Sequence, residues 1–217
     1  MKILHITCSP RGQQSASYRL SQRVMERLLA GHAAAQIVAR DLWAEPLPHV
    51  DGEYAAVLGG TRDNAHNGAH SGASAANARG PGPASLAMSD RLIAELRDAD
   101  CVVIATPMHN FTVPSALKAW LDHVVRIGVT FNPTREGKVG TLADRPVYIA
   151  VSSGGYRTGE RANQPDFLEP YLRAILATIG LKHPRFISVQ ATAAGPETET
   201  AAYAAAEEEL NDCFVVA

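Results

Sequence analysis

The apolar positions of the chain change period from place to place, and each change marks an element. Lys2 to Thr7 is a short apolar run rich in β-branched residues, closed by Ser9, Pro10 and Gly12. This predicts a first strand and its loop. From Ser17 the spacing lengthens: Leu20, Val24, Leu28 and Leu29 recur at helical intervals, and Gly31 stands where a helix would stop. Gln36 to Leu42 predicts a second strand. Leu86 to Asp98 carries Leu86, Ile93 and Leu96 on one helical face, then gives way to CVVIAT, Cys101 to Thr106. A strand apolar on both faces belongs inside a parallel sheet. Pro114 suits the first turn of the next helix, which bears Leu117, Trp120, Leu121, Val124 and Val125. Pro146 to Val151 predicts a fourth strand, and Leu168 to Ile179 a helix ended by Gly180. Phe186 to Val189 predicts a fifth strand, and Glu197 to Leu210 a last helix rich in Ala and Glu.

Strands alternating with helices predict βαβ units and a parallel sheet covered on both faces. Five strands suit a flavodoxin-like three-layer α/β/α fold, a five-stranded parallel sheet in the order 2-1-3-4-5. With 217 residues, one domain spanning 1–217 is expected rather than two. It is interrupted at Gly59 to Pro83 by a stretch of Gly, Ala, Asn, Ser and His with almost no large apolar residue, which reads as a flexible excursion. His66 and His70 within it have helical spacing for a metal but no helix-like surroundings, so a solvated segment is the reading and no metal site is expected.

Charge and cysteine usage narrow the chemistry. The formal charge is −2, with acids and bases mixed along the chain, which gives no footprint for nucleic acid or an anionic membrane. Small-molecule chemistry is the better starting point. No apolar run reaches the length of a membrane span, and MKILHIT is strand-like rather than a leader; the expectation is a cytoplasmic protein. Cys8, Cys101 and Cys213 are odd in number and widely spaced, which argues for reduced thiols over disulfides or zinc.

In a sheet of this winding, ligands bind beyond the carboxyl ends of the strands where the order reverses. The loops after strands one, three and four are therefore the ones that matter. In SPRGQQSAS, Ser9, Ser15 and Ser17 lie between a strand and a helix N-terminus, where backbone N–H groups and short hydroxyls suit a phosphate; equally, Ser15 or Ser17 can simply cap the helix. Neither GxxxxGK nor GxGxxG is present, which leaves a monophosphate. Arg11 is either a phosphate contact or a solvated loop residue. In PMHNFTVP, Met108, Asn110 and Phe111 offer apolar walls and amide groups for a flat heteroaromatic ring, and His109 either lines that pocket or makes a local hydrogen bond. Ser152, Ser153, Gly154 and Gly155 place paired glycines where backbone can approach a ligand, or form an ordinary turn. Arg157 either stabilises an anionic reduced ring or is solvated. HITCSP has no carboxylate for a receiver-type signalling site, and no Ser-His-Asp or paired-carboxylate apparatus is present.

At these residues the sequence resembles the bacterial FMN-dependent NADH-azoreductases, which also act as quinone reductases within the flavodoxin-like superfamily. The likeness is densest in LAMSDRLIAELRDADCVVIATPMHNF and LKAWLDHVVRIGVTF. The resemblance implies FMN phosphate contacts at Ser9, Ser15, Ala16 and Ser17. It implies ring contacts at Met108, His109, Asn110, Phe111, Ser152, Ser153, Gly154 and Gly155. It further implies a homodimer whose pocket lies at the subunit interface, with Phe131 as a wall against the substrate. The activity it implies is ping-pong, two-electron reduction of quinones and cleavage of aromatic azo compounds to amines, with NADH or NADPH as donor. The alternative is a flavodoxin-type electron carrier. The chain departs from the family at His109, where Tyr is common, at Ser153, where Arg is usual, and in the long 59–83 stretch.

Overall fold

The computed structural model describes residues 1–58 and 84–215. In chain order the strands are β1 (Lys2–Thr7), β2 (Gln36–Asp41), β3 (Cys101–Pro107), β4 (Phe131–Thr134), β5 (Gly137–Gly140), β6 (Val147–Ser152) and β7 (Pro184–Val189). The helices are α1 (Ala16–Gly31), α2 (Ala84–Asp98), α3 (Ser115–Val124), α4 (Leu168–Ile179) and α5 (Pro196–Val215), and residues 52–58 are also helical. The 59–83 stretch, with His66 and His70, lies outside the described residues.

Five strands form one parallel sheet in the order β2-β1-β3-β6-β7. The fourth and fifth members of that sheet are β6 and β7 because an unpredicted hairpin precedes them: β4 pairs antiparallel with β5 in a separate two-stranded sheet. Side-chain alternation sends the two faces of the parallel sheet to different helices. Ile3, Val103, Tyr148 and Ile187 pack against Leu20, Val24 and Leu28 of α1 and Ala206 and Leu210 of α5. Leu4, Ile104, Ile149 and Val151 pack against Leu92 and Leu96 of α2, Leu117 and Trp120 of α3, and Leu172 and Leu176 of α4. The result is a flavodoxin-like three-layer sandwich whose central strands β3 and β6 are buried almost throughout, as their continuous apolar runs require.

Several boundaries differ from the pattern. α1 begins at Ala16, one residue before Ser17, because Ser15 is the cap. Pro114 is the N-cap of α3 rather than its first residue, and Val125 has left the helix. β7 begins at Pro184, and α5 runs on to Val215. The stop after α4 is as predicted: Gly180 sits at φ +111° and donates its N–H to Ala177 O at 3.1 Å, a left-handed position that favours glycine. Among the described residues no helix is long and apolar enough to cross a membrane.

Candidate active site

Three strand ends meet at one edge of the sheet. Thr7 stands opposite Ala105 and Pro107 opposite Ser152, so β1, β3 and β6 stop at similar heights and their loops share a cleft of about 190 Å³. β2 and β3 flank β1 on opposite sides, which makes this the switch point where doubly wound sheets bind ligands. The cleft is lined by Ser9, Pro10, Arg11, Ser15, Ala16 and Arg19, by Pro107, Met108 and His109, by Ser152, Ser153 and Gly154, and by Thr192 and Glu199. The three predicted loops are thus brought together. A larger surface groove of about 660 Å³ lies beside α5 and does not gather these loops.

In the first loop, Gly12 at φ +52° turns the chain through a short 3-10 segment, and Ser9 Oγ accepts the Arg11 N–H at 3.2 Å. Ser15 caps α1 by accepting the Tyr18 N–H at 3.2 Å. Capping and anion binding are not exclusive here. The cap leaves the N–H groups of Ala16 and Ser17 without a protein acceptor among the described residues, and the first turn of α1 contains no acid. A helix end left in that condition is a ready anion site. The Ser17 side chain is fully buried, does not line the cleft, and lies with its hydroxyl 3.5 Å from Ser15 Oγ. That hydroxyl supports Ser15 from behind.

In the second loop, Met108 donates its N–H to Ser152 O at 2.7 Å, tying it to the third. His109 and Thr112 exchange backbone hydrogen bonds of 2.9 and 3.0 Å around Asn110 at φ 48° and Phe111 at φ 69°. Two successive left-handed residues make a type I′ turn. Asparagine tolerates that region, whereas phenylalanine is strained there. The turn divides the predicted wall: Met108 and His109 line the cleft, while Asn110 and Phe111 lie on the exposed tip.

The third loop is held from the far side. Ser153 donates its N–H to Val189 O at 3.0 Å and its hydroxyl to Gly155 O at 2.7 Å. Thr192 and Ala193 donate their N–H groups to the Ser153 and Gly154 carbonyls at 3.1 and 3.3 Å. Gly154 lines the cleft, and its N–H has no protein acceptor among the described residues. Gly155 does not line it. A Cβ there would come to 3.2 Å from Asn163 Oδ1 and 3.3 Å from Gln164, so this glycine makes room for a neighbouring loop.

One expectation is corrected. Arg157 is neither solvated nor in the cleft: its side chain is 2% exposed, pairs with Asp166 and Glu169, and reaches Ser188 Oγ at 2.5 Å. Phe131, expected as a wall at a subunit interface, is buried at the start of β4, with Lys138 Nζ 5.1 Å from its ring centre. Three lining residues, Arg19, Thr192 and Glu199, had not been singled out. Arg19 carries a signal in retrospect, one turn after the Ser15 cap; Glu199 is 180 residues further along the chain and carries none.

Fold and cleft together define a doubly wound α/β protein with its cleft at the switch point. A family model described as Flavodoxin-like fold matches residues 1–213, and the chain belongs to that family. It is 44% identical over 196 residues to FMN-dependent NADH:quinone oxidoreductase 4 of Pseudomonas fluorescens, an alignment covering 90% of this chain and 86% of the relative. It is likewise 44% identical over 191 residues to FMN-dependent NADH:quinone oxidoreductase 5 of Burkholderia lata, covering 88% and 85%. Among solved structures, an azoreductase from Bacillus anthracis superposes with TM-score 0.77 at 21% identity over 97% of each chain. An FMN-dependent NADH-azoreductase from the same species, in complex with FMN, superposes with TM-score 0.75 at 22% identity over 98% of each.

Proposed function

We propose that this chain is an FMN-dependent oxidoreductase that takes electrons from NADH or NADPH and reduces quinones, and that it also cleaves aromatic azo compounds to amines. The observation that carries this reading is the convergence, in one cleft at the switch point, of N–H groups at an acid-free helix end that lack an acceptor among the described residues with Pro107, Met108 and the backbone of Gly154. The names of the relatives at 44% identity support the quinone and NADH parts; the azo part rests on the resemblance to the azoreductases.

The residues present fit FMN. The N–H groups of Ala16 and Ser17, with the hydroxyls of Ser9 and Ser15, would hold the phosphate. Met108 and the 109–111 turn would flank the ring, and the backbone of Ser152 to Gly155 would meet its pyrimidine edge, with Gly154 offering the free N–H. FMN, when bound, supplies hydride acceptance from the nicotinamide and delivery of two electrons to the acceptor. The chain supplies orientation: the loop pinned by Val189, Thr192 and Ala193 keeps its donors fixed, so little ordering cost falls on binding. Met108 and Pro107 exclude water from one side of the slot.

The reading includes one flavin-binding unit over 1–217 and a cytoplasmic setting, which the free thiols Cys8, Cys101 and Cys213 support. It also includes a homodimer in which Phe131 reaches the substrate across the interface. An electron carrier is not favoured, since the relatives are named as oxidoreductases. The test is an absorbance scan of the purified protein, then anaerobic mixing with NADH, with NADPH, and finally with a quinone or azo dye. A bound flavin spectrum that bleaches on nucleotide and returns on acceptor is expected. Protein that stays colourless after incubation with FMN and shows no bleaching would overturn the reading.

A further inference from the structure

Helices α1 and α5 are joined by a ladder of side chains. Arg19 pairs with Glu199 at 2.5 Å, and Arg23 and Arg27 pair with Glu207 at 2.9 and 2.5 Å. Between them the Tyr203 ring lies under the guanidinium groups of Arg19 and Arg23, at 5.4 and 5.0 Å. Positions 19, 23 and 27 on one helix and 199, 203 and 207 on the other each repeat every four residues, so each set forms a stripe along its helix.

The rungs are not equivalent. Of the three arginines only Arg19 lines the cleft, and Glu199 lines it too. A carboxylate in a cleft otherwise built for an anion calls for a reason. Glu199 has a second source of stabilisation, because it lies in the first turn of α5, where the helix end favours an acid. It can therefore release its arginine without being left uncompensated. The Arg19 and Glu199 side chains are 52% and 29% exposed, and pairs so accessible to water are weak. A guanidinium facing a phosphate gains two parallel charge-assisted hydrogen bonds and outcompetes such a pair. Tyr203 also donates its hydroxyl to Ala16 O at 3.1 Å, which fixes the aromatic platform beneath Arg19 to the first turn of α1.

We propose that Arg19 binds the phosphate of the ligand in this cleft and that Glu199 competes for it. Without ligand the guanidinium rests on Glu199; a phosphate monoester draws it across the cleft, and Glu199 falls back on the N-terminus of α5. Glu199 thereby sets the affinity for the phosphorylated flavin while leaving the unphosphorylated one unaffected. This rests on the reading of the cleft as an FMN site.

The test titrates full-length apo-protein with FMN and separately with riboflavin, following flavin fluorescence at two salt concentrations. Arg19→Gln should weaken FMN binding by about tenfold or more, the loss of one charge-assisted contact, and should leave riboflavin binding unchanged. Glu199→Gln should tighten FMN binding by about threefold or more by removing both competitor and like charge. Arg27→Gln, a rung outside the cleft, should change neither affinity. Wild-type protein that binds FMN while Arg19→Gln matches it within about twofold overturns the proposal alone and returns the pair to a structural role. Equal weakening by Arg27→Gln also overturns it. Failure of the wild type to bind FMN overturns the flavin reading instead.

Discussion

Arg157 and Glu169 approach to 3.1 Å in a pocket that leaves the arginine side chain 2% exposed. Asp166 pairs with the same guanidinium, Ser188 Oγ accepts from it at 2.5 Å, and the Arg157 backbone N–H donates to Gln190 Oε1 at 2.7 Å. One residue thus ties the segment after the third loop to α4 and β7. Arg157→Met takes the cation from Asp166 and leaves Glu169 with Arg173 alone, which costs about 3 kcal/mol. Urea unfolding followed by tryptophan fluorescence should show that fall. Because Gly154 and Gly155 lie just upstream, flavin retention should fall with it. Glu169→Gln, which keeps Asp166 as partner and alters a residue already a quarter exposed, should cost less than about 1 kcal/mol.

The β4/β5 hairpin and α4 meet through glycine backbone. A Cβ on Gly140 would lie 2.1 Å from the Gly180 nitrogen, and one on Gly180 would lie 2.4 Å from Leu142 O. Neither neighbour is a side chain that can swing aside, so Gly140→Ala should destabilise the protein by about 3 kcal/mol, read as a lower urea midpoint with an unchanged slope. Gly137→Ala adds a Cβ with nothing within 4 Å but at φ +133°, so its smaller loss, about 1 kcal/mol, isolates the backbone effect.

How much of this was legible beforehand follows from the range of the interactions. The strands and helices of the sandwich are written in local periodicity, and CVVIAT announced a buried strand because burial on both faces leaves no polar position. The β4/β5 hairpin was invisible: FNPT and GKVG offer no alternation, and Val139 is exposed. The three loops could be placed at one edge because topology alone puts them there. The inward turn of Arg157 was not readable, because its acids lie 9 and 12 residues on and Ser188 31 residues on. Ser15 was offered as cap or phosphate site and is positioned for both, since a cap satisfies only one of the orphan N–H groups of a helix end. Gly154 and Gly155 read as room for a ligand or as an ordinary turn; that Gly155 also admits Asn163 and Gln164 is set by a loop further along the chain.

The thiols should differ sharply in reactivity. Burial pushes Cys8 up to about 12, and its Sγ donates to Ala105 O at 3.3 Å. Burial likewise pushes Cys101 up to about 12, helped by the nearby Asp100 charge. Cys213, half-buried on α5, is raised chiefly by burial. The thiolate is the reactive form, so at pH 8 a maleimide should label Cys213 first. Cys8 and Cys101 should label only at the rate of unfolding. Peptide mass mapping after a short pulse checks this, and early modification of Cys8 would contradict the packing around β1.

His5 should make the fold sensitive to mild acid. It is buried on β1, with Nε2 2.9 Å from Ser21 Oγ. That hydroxyl already donates to Tyr18 O at 2.8 Å, so the imidazole donates from Nε2, which fixes the tautomer of the neutral ring. Burial lowers its pKa below the usual 6.5, because the charged form cannot recover its hydration inside the core. The unfolded chain, with an ordinary imidazole, therefore binds a proton that the folded one refuses. Stability from this group is full above pH 6.5 and falls as the pH drops below that value, levelling off only beneath the lowered folded pKa. Urea midpoints measured from pH 7.5 down to 5.5 should decline. His5→Gln keeps a donor for Ser21 but does not titrate, so it should flatten the decline between pH 6.5 and 5.5. An unchanged slope in His5→Gln would assign the acid sensitivity to another group.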